Sequence, residues 1–440
     1  MKSRRRKRTS TLPYLAVPQS RSGSGTRRAD PSWTVLIALS LILALTLAPG
    51  STSTPAADCF WCGEFATADF ILNVALFVPL GLALGVSSGV AAWAAILIAV
   101  VVSGGVELAQ LAIPGRYPTL SDVLANLLGA VAGLLVARRS QSGRRLTGRR
   151  ADRATLAWAA VVIGMVFGTD FLLSPSLPDS DWNGTWTPLI PSMSRYPGRV
   201  LDAQLAGLRI PDGPISRPDS ARRLIRAGNP VSVRFETAGA PEEGLSPILR
   251  LETPDREGIL LIGVHSTDVV VRLRRRSNDL RLHAPDVLFR QAAPATGDTT
   301  VVMAAVKHGR VCVTAPAGKS CSPISSPGGG WSMLAGLPTS VPGWLQIVLD
   351  GLWLAGLFFP LGMFMRTRRT RLLPSIAALG AVGISALGGP GLVVLGSLAG
   401  ALTGLAAGRS ASMRGRNLPA LPVISTVRRV DAAEVADFYG

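Results

Sequence analysis

Residues 70–86 read FILNVALFVPLGLALGV, and residues 90–113 read VAAWAAILIAVVVSGGVELAQLAI. Each run is close to the roughly 20 residues that a helix needs to cross the hydrocarbon core of a bilayer. Neither run contains a Lys or an Arg. Their polar side chains are Asn73, Ser103, Glu107 and Gln110. The two runs therefore predict a pair of membrane-spanning helices that carry a few buried polar groups.

Six further apolar runs predict six more spanning helices, eight in all. They are Trp33–Ala48, Leu120–Ala137, Ala154–Leu173, Gly343–Met365, Leu372–Leu387 and Gly391–Ala407. A cleaved signal peptide is the alternative for the first run. The long basic leader, and Pro49 where cleavage would fall, favour an uncleaved helix. Only 16% of the residues are charged, against about 25% in an ordinary soluble domain.

Arginine clusters between the runs predict the orientation. They lie in a basic tail that we expect to be disordered (1–30), a basic loop (138–153), a short linker (366–371) and the start of a C-terminal tail (409–440). With eight helices, all four clusters fall on one side of the membrane, and clusters of this kind mark the cytoplasmic side. Both termini are thus predicted to be cytoplasmic. The net charge of +18 then requires no nucleic-acid partner, and the lipid bilayer is the predicted environment.

Residues 174–342 separate the fifth run from the sixth, and their composition differs from that of the membrane runs. Short stretches rich in β-branched residues alternate with Gly, Pro, Asn and Asp, which is typical of an all-β sandwich. The predicted strands are Val231–Thr237, Ile248–Glu252, Ile259–Val264, Val269–Leu273, Leu280–His283, Thr300–Ala305 and Arg310–Thr314. The predicted fold is a polytopic α-helical membrane protein with an inserted, extracytoplasmic all-β jelly-roll sandwich. Three C-terminal helices follow it (343–408).

All four cysteines lie in segments that the topology places outside the cell. An oxidising compartment allows structural disulfides, and we expect the pairs Cys59–Cys62 and Cys312–Cys321. A redox-active or metal-binding Cys59-x-x-Cys62 motif is the alternative. No thioredoxin-like context or second pair of ligands accompanies that motif, which favours the disulfides.

A group of polar residues lies at the predicted outer ends of the second, third and fourth helices. Its members are Asp69, Asn73, Glu107, Gln110, Arg116, Asp122 and Asn126. Each helix contributes a pair spaced three or four residues apart, which places both members on one face. With a rise of 1.5 Å per residue, all lie within about 10 Å of the membrane boundary. Because short connections make these helices neighbours, we predict that the seven side chains converge in one pocket.

Two interpretations of this pocket stay open from the residues alone. In the functional one, Arg116 binds a phosphate or carboxylate, Glu107 and Asp122 act as acid and base or hold a cation, and the amides orient the ligand. In the structural one, Arg116 pairs with Glu107 or Asp122 and the amides satisfy helix ends. The three histidines (His265, His283 and His308) all lie in the β segment. No metal site in the membrane half and no cofactor is therefore predicted.

These residues resemble the VanZ-like family of membrane proteins. One signature is Asn73-Val-Ala-Leu-Phe77-Val-Pro79-Leu-Gly81. The other is Glu107-x-x-Gln110, then Arg116, then Asp122-Val-Leu-Ala-Asn126-Leu-Leu-Gly129. The resemblance covers about residues 33–137 and implies a bacterial cytoplasmic membrane. The family takes its name from a teicoplanin resistance protein. Its biochemical mechanism is poorly defined, so the resemblance indicates a site more firmly than an activity.

The β segment (178–338) resembles, more weakly, a concanavalin-like or laminin-G-like domain. That fold often binds glycans, although a fold alone does not fix a function. The aromatic residues that could stack on a sugar are Trp182, Trp186, Tyr196 and Trp331, and a role in the core or at the membrane interface is the equal alternative for them. The predicted function is a cell-envelope protein that holds an anionic ligand, such as a lipid-linked phosphate or glycan, beside a β domain for glycan or protein. The alternatives are a non-enzymatic anchor for the β domain and a transporter; whether a reaction is catalysed stays open.

Two further features carry expectations about packing. Asp170, Gln346 and Asp350 lie in the outer parts of the fifth and sixth helices, where anchoring of the β domain is their expected role. Glycines recur every four residues in the last helix: Gly396, Gly400, Gly404 and Gly408. Small residues at this spacing let helices approach closely. The spacing allows packing within the chain as well as oligomerisation.

Overall fold

The structure is a computed structural model. It describes residues 31–48, 63–87, 90–113, 116, 119–141, 148–191, 193–238, 244–294, 297, 299–336, 342–364, 369–387 and 391–414. The tail predictions for 1–30 and most of 409–440 lie outside the described residues. The predicted Cys59–Cys62 disulfide lies outside them as well.

Ten α-helices occur in these ranges. They are α1 (Pro31–Thr46), α2 (Ala66–Val86), α3 (Ala92–Gln110), α4 (Leu120–Gln141), α5 (Gly148–Leu173), α6 (Pro218–Arg226), α7 (Arg276–Asp279), α8 (Gly343–Phe364), α9 (Arg369–Ala386) and α10 (Gly391–Arg414). By length and composition α2, α3, α4, α5, α8 and α10 could each cross a membrane. The apolar parts of α1 and α9 are shorter, Trp33–Thr46 and Leu372–Ala386. The chain is therefore a multi-pass membrane protein with about eight apolar helices, as predicted.

One predicted boundary is wrong. The basic segment 138–153 was expected to be a loop, yet α4 continues to Gln141 and α5 begins at Gly148. Arg149, Arg150 and Arg153 thus form the first turns of α5. The helix therefore begins before its apolar stretch, because charged residues can also form helical turns.

The eight apolar helices form two bundles. The first bundle consists of α1 to α4 and encloses a core that includes Ile42, Phe77 and Leu80. The second bundle consists of α5, α8, α9 and α10 and encloses a core that includes Phe358 and Leu361. The β domain joins α5 to α8, so it is inserted between the first and second helices of the second bundle.

Glycines allow one very close helix pair in each bundle. A Cβ atom added to Gly129 of α4 would collide with the backbone of Val74 in α2. In the second bundle, a Cβ on Gly404 of α10 would collide with the backbone of Ala355 in α8. The glycine repeat of the last helix is thus used for packing within the chain, since Gly396, Gly400 and Gly408 also face α8.

The inserted domain is a sandwich of two antiparallel six-stranded sheets. Its strands are β1 (Asn183–Trp186), β2 (Val200–Leu205), β3 (Leu208–Arg209), β4 (Gly213–Pro214), β5 (Val231–Glu236), β6 (Ser246–Glu252), β7 (Gly258–His265), β8 (Asp268–Leu273), β9 (Val287–Phe289), β10 (Thr299–Lys307), β11 (Arg310–Ala315) and β12 (Gly318–Pro323). The strand orders are β4-β1-β6-β7-β8-β9 and β12-β11-β10-β5-β2-β3. Period-two burial along β5 and β11 places alternate residues in the shared core.

Six of the seven predicted strands are confirmed, and Leu280–His283 is wrong. This segment follows the short helix α7 as a turn, with Arg281 at a positive φ of 55°. Leu282 is buried, but against Ala68, Leu173 and Met333 and outside the sandwich core. Its apolar character therefore reflects contact with the ends of the membrane helices.

The predicted Cys312–Cys321 disulfide is confirmed, and it links directly opposed residues of β11 and β12. The cysteines are nine residues apart. A disulfide that closes a loop of this length restricts the unfolded chain and so stabilises the folded state by about 2–3 kcal/mol. We expect the variant with both cysteines changed to Ala to unfold at a lower temperature, with the fold retained. Circular dichroism of the purified full chain, with and without reductant, measures this. If reductant lowers the unfolding temperature of the double variant by as much as it lowers that of the parent, the stabilisation comes from other bonds.

Candidate functional site

The polar side chains of α2 and α4 meet at the end of the first bundle nearer the β domain. Asn73 donates from Nδ2 to Oδ1 of Asp122 at 2.7 Å, and both side chains are half-buried. The close approach of α2 and α4 through Gly129 makes this bond possible. Asp122 lies in the first turn of α4, where the helix dipole stabilises a carboxylate.

Glu107 and Gln110, near the end of α3, are held by neighbouring segments. Oε2 of Glu107 accepts the backbone N–H of Thr119 at 3.1 Å, just before α4. Nε2 of Gln110 donates to the carbonyl oxygen of Thr46 at 3.1 Å, at the end of α1. Both side chains are buried, with 8% and 7% exposed. Sequence reasoning did not single out Thr46 or Thr119, because the atoms that hold Gln110 and Glu107 are backbone atoms, which any residue type supplies.

Asn126 lies deepest in this group. Its Nδ2 donates to Oγ of Ser103 at 3.0 Å, and the residue is 2% exposed. Its Oδ1 is buried and has no hydrogen-bond partner among the described residues. A buried amide oxygen without a donor is costly, so this atom keeps an unused hydrogen-bond acceptor inside the first bundle.

Arg116 does not adopt the pairing that the structural interpretation expected. Its Nε donates to the carbonyl oxygen of Ala48 at 3.0 Å, and its Nη2 lies 3.5 Å from that of Leu45. No ion pair between Arg116 and Glu107 or Asp122 occurs in the described part of the chain. The guanidinium is thus positioned by carbonyls at the end of α1 and keeps its charge uncompensated by direct contact.

Asp69 completes the group on α2 and is exposed. It lies close enough to Asp122 and Arg116 for their charges to act on it. The group therefore contains three carboxyl groups (Asp69, Glu107 and Asp122) and one guanidinium. Such a group of side chains offers mainly hydrogen-bond acceptors and one fixed cation.

The part of the chain that carries these polar groups is similar to a known family. Residues 17–141 match the family model of VanZ/LLP1. This region ends with α4, so the match covers the first bundle and neither the β domain nor the second bundle. No curated protein and no solved structure matches the chain.

The VanZ-like region contains all seven predicted site residues, and the structure places them at one end of it. Direct bonds join Asn73 to Asp122, whereas Gln110, Asn126 and Arg116 are bonded to other partners. Two hydroxyl residues, Thr119 and Ser121, also line this end and bond each other at 2.8 Å. The spacing of Thr119 from Asp122, whose N–H it accepts at 3.2 Å, is a helix-capping pattern that could have been found in the sequence.

The β domain approaches this end of the VanZ-like region. Phe65, which directly precedes α2, stacks on the ring of His283, with 3.8 Å between ring centroids. The end of α2 that carries Asp69 therefore faces the β domain. Burial at this contact lowers the pKa of His283 below its ordinary value of 6.5, so the imidazole is neutral at pH 7.

A groove of about 1200 Å³ runs between the β domain and the membrane bundles. Its walls include Glu64 and Phe65 before α2, Gln346 of α8, and a row of charged side chains on the sheet that contains β6, β7 and β8. The charged side chains on the sheet and on the segments that adjoin it include Arg250, Arg272, Arg274, Asp279 and Asp286. Sequence reasoning missed this groove, because its residues are far apart in the chain.

The arginines of the groove are mostly paired. Arg272 contacts Asp286 at 2.7 Å and Arg274 contacts Glu257 at 2.8 Å. Although burial favours the neutral form of Arg272, the hydrogen bonds and charge of Asp286 raise its pKa above its ordinary value. A groove lined by paired charges offers many fixed donors and acceptors and little net charge, which suits a hydroxyl-rich ligand.

The four aromatic candidates for sugar stacking have different positions. Trp182 and Tyr196 are 0% and 3% exposed in the sandwich core, so the interpretation as stacking platforms is wrong for them. Trp186 also packs against that core. Trp331 borders the groove, but its Nε1 donates to Oδ1 of Asp350 at 2.7 Å.

Asp170 and Asp350 connect the β domain to the second bundle, as expected. Asp170 of α5 accepts a hydrogen bond from Ser325 at 2.8 Å, and it also accepts one from Ser385 of α9. Asp350 of α8 accepts bonds from Ser326 at 2.5 Å and from Trp331. These contacts fix the last segment of the β domain to two membrane helices.

Proposed function

We propose that this protein is a cell-envelope receptor for a lipid-linked sugar phosphate, with the pocket of the VanZ-like region opening outward. In this proposal Arg116 meets the phosphate, and the groove below the β domain receives the glycan. The observation that carries the proposal is a guanidinium that is held by carbonyl oxygens and makes no direct ion pair among the described residues. A large polar groove, whose walls include Glu64 and Phe65 just before α2, lies at the same end of α2. The membrane position of the pocket suits a ligand that has a lipid tail.

Each group in the pocket has a chemical role in this proposal. The Nε and Nη2 groups of Arg116 bond carbonyl oxygens, which holds the side chain in place and leaves Nη1 for a phosphate oxygen. Asp69 is exposed and accepts hydrogen bonds from hydroxyl groups of the sugar. Glu107 and Asp122 balance charge or take up a proton, and the unpartnered oxygen of Asn126 accepts a donor of the ligand.

A second candidate is a non-enzymatic anchor that displays the β domain. It is favoured by the hydrogen bonds of Asp170 and Asp350, which already fix the domain to the second bundle without help from the pocket. In that case the pocket residues only stabilise the first bundle. The two candidates differ in what happens when the pocket is changed and the β domain is intact.

We expect Arg116→Ala to abolish function while the protein still inserts, because only the fixed cation is lost. The measurement is growth and sensitivity to envelope antibiotics, including teicoplanin, of a deletion strain of the native bacterium. The strain is complemented with the parent chain, Arg116→Ala, Glu107→Gln or a chain lacking residues 178–338. Arg153→Ala is the matched control, because Arg153 is an exposed arginine on α5, outside the pocket.

Membrane levels from a blot separate loss of function from loss of protein. Failure of well-expressed Arg116→Ala, together with normal growth of Arg153→Ala, supports the receptor. Full complementation by both pocket variants, with failure of only the chain lacking the β domain, establishes the anchor instead. Poor membrane levels of Arg116→Ala would indicate that its carbonyl bonds are structural.

A further inference from the structure

The second helix of each bundle carries the same short sequence. In α2 it is Phe77-Val-Pro79-Leu80-Gly81, and in α8 it is Phe358-Phe-Pro360-Leu361-Gly362. The matching phenylalanines and leucines are all 0% exposed. An aspartate lies ten residues before the proline in both helices, Asp69 and Asp350.

The packing contacts of these helices also match. A fixed shift of 281, the difference between Pro360 and Pro79, converts α2 numbers to α8 numbers. Gly129 and Gly133 of α4 contact Val74 and Val78 of α2. The same shift turns Val74 and Val78 into Ala355 and Phe359, which are the residues that Gly404 and Gly408 of α10 contact. The shift from α4 to α10 is then 275, the difference between Gly404 and Gly129.

The order of the helices agrees with these contacts. Each bundle has a first helix (α1 or α5), then the proline-containing helix, then a third helix, then the glycine-containing helix that packs on the second. The bundles differ in the third helix, since α3 packs mainly on α4 whereas α9 packs mainly on α5. They also differ between the first and second helices, where the β domain is inserted into the second bundle only.

We infer that the second bundle is a second copy of the VanZ-like unit, and that its pocket is occupied by the β domain's own segment Ser325–Met333. In the second bundle, three residues at positions that match the site lack the amide and carboxyl groups that a ligand would need. By the two shifts, Asn73, Asp122 and Asn126 correspond to Leu354, Ser397 and Ala401. All three counterparts are 0% exposed, and the buried Oγ of Ser397 has no partner among the described residues.

The aspartate that both copies keep shows the occupation directly. Asp69 is exposed, whereas its counterpart Asp350 is 8% exposed. Asp350 is covered by Ser326 and Trp331. It accepts a hydrogen bond from the hydroxyl group of Ser326 and one from the indole N–H of Trp331. A Cβ on Gly328 would lie 2.6 Å from Cβ of Asp350, so glycine allows the segment to enter the pocket.

This arrangement assigns different tasks to the two copies. The second copy is a docking site for a segment of the same chain, and it thereby holds the β domain above the membrane. The first copy keeps its polar groups, and its Asp69 stays exposed. The inference stands whether or not the open pocket binds a sugar phosphate, because it rests on the contacts of the second bundle.

The correspondence predicts a hydrogen bond that the chain does not contain. Leu354→Asn with Ser397→Asp should recreate in the second bundle the 2.7 Å bond of Asn73 with Asp122. We expect each single variant to lower the thermal midpoint of the purified protein, because it buries an unpaired polar group, and the double variant to recover most of that loss. Leu354→Asn with Ala401→Asp is the control, since position 401 lies one helical turn away, and it should not recover. Additive losses in the matched pair would overturn the correspondence.

Occupation of the second pocket is tested separately by thiol labelling. We expect a membrane-impermeant thiol reagent to modify Asp69→Cys at least about tenfold faster than Asp350→Cys, measured against the parent chain in intact cells. Burial of a thiol prevents its reaction. Changing Ser326 and Trp331 to Gly in the Asp350→Cys chain should raise its rate toward that of Asp69→Cys. Equal rates in the two single variants, or no increase after the segment is changed, would show that the segment does not fill the pocket.

Discussion

Gly129→Ala is expected to destabilise the first bundle by about 2 kcal/mol or more, in line with the cost of overpacking a core. The added methyl group would collide with the backbone of Val74, and a backbone cannot move aside as a flexible side chain can. The α2–α4 pair would have to separate, which would also stretch the bond between Asn73 and Asp122. The loss of stability is measured by heating detergent-solubilised protein and determining by size-exclusion chromatography how much of it stays folded at each temperature.

Gly104→Ala is the matched control for this prediction. Gly104 also lies inside a membrane helix, α3, but a Cβ on it meets no atom within 4 Å. Alanine favours a helix over glycine by up to about 1 kcal/mol, so the control should be neutral or slightly stabilising. An equal loss of stability in both variants would mean that glycine is needed for some reason other than helix contact.

Arg275→Ala is expected to destabilise the β domain by about 3 kcal/mol or more, the range for removing one member of a buried charged hydrogen-bonding group. Arg275 is 1% exposed and donates to the carbonyl oxygens of Ile324 at 2.8 Å and Pro285 at 2.7 Å. Burial lowers the pKa of its guanidinium to about 10, so the group stays charged at pH 7. Its removal leaves both carbonyls without these donors and creates a cavity where the buried side chain was.

Limited proteolysis of the full chain in membranes measures this effect, because an unfolded β domain is cut while the helices stay protected. Arg209→Ala, at an exposed edge strand, is the control and should leave the cleavage rate unchanged. If Arg275→Ala is as resistant as the control, then the carbonyls of Ile324 and Pro285 find other donors.

Much of the fold could be predicted because membrane helices are long and uniformly apolar. The runs around Phe77 and Phe358 each exceed what a soluble helix needs. The confirmed strand predictions rest on period-two patterns such as that of β5 and on short runs of β-branched residues such as that of β8. Leu280–His283 failed because its one strongly buried residue, Leu282, packs against the membrane helices. A short apolar run does not tell which neighbour buries it.

The candidate site was predicted in part. Residue spacing and the short connections between helices predicted that Asn73 and Asp122 would belong to one group, and the two side chains are hydrogen-bonded. The partners of Arg116 and Gln110 could not be predicted, because they are backbone carbonyls at the end of α1 and any residue type supplies a carbonyl. The likeness of the two bundles was visible in the Phe-x-Pro-Leu-Gly sequences, but five residues carry little weight until the glycine contacts repeat as well.

The insertion of the β domain between α5 and α8 has a consequence for synthesis. All four helices of the first bundle lie within residues 31–141, so this bundle is complete before the sandwich has left the ribosome. The second bundle has to wait: α5 is made first, and its partner α8 begins only at Gly343. During that interval α5 lacks the helices that will cover it, and a long separation of contacting residues slows assembly. Translation through the sandwich therefore sets the earliest time at which the second bundle can close.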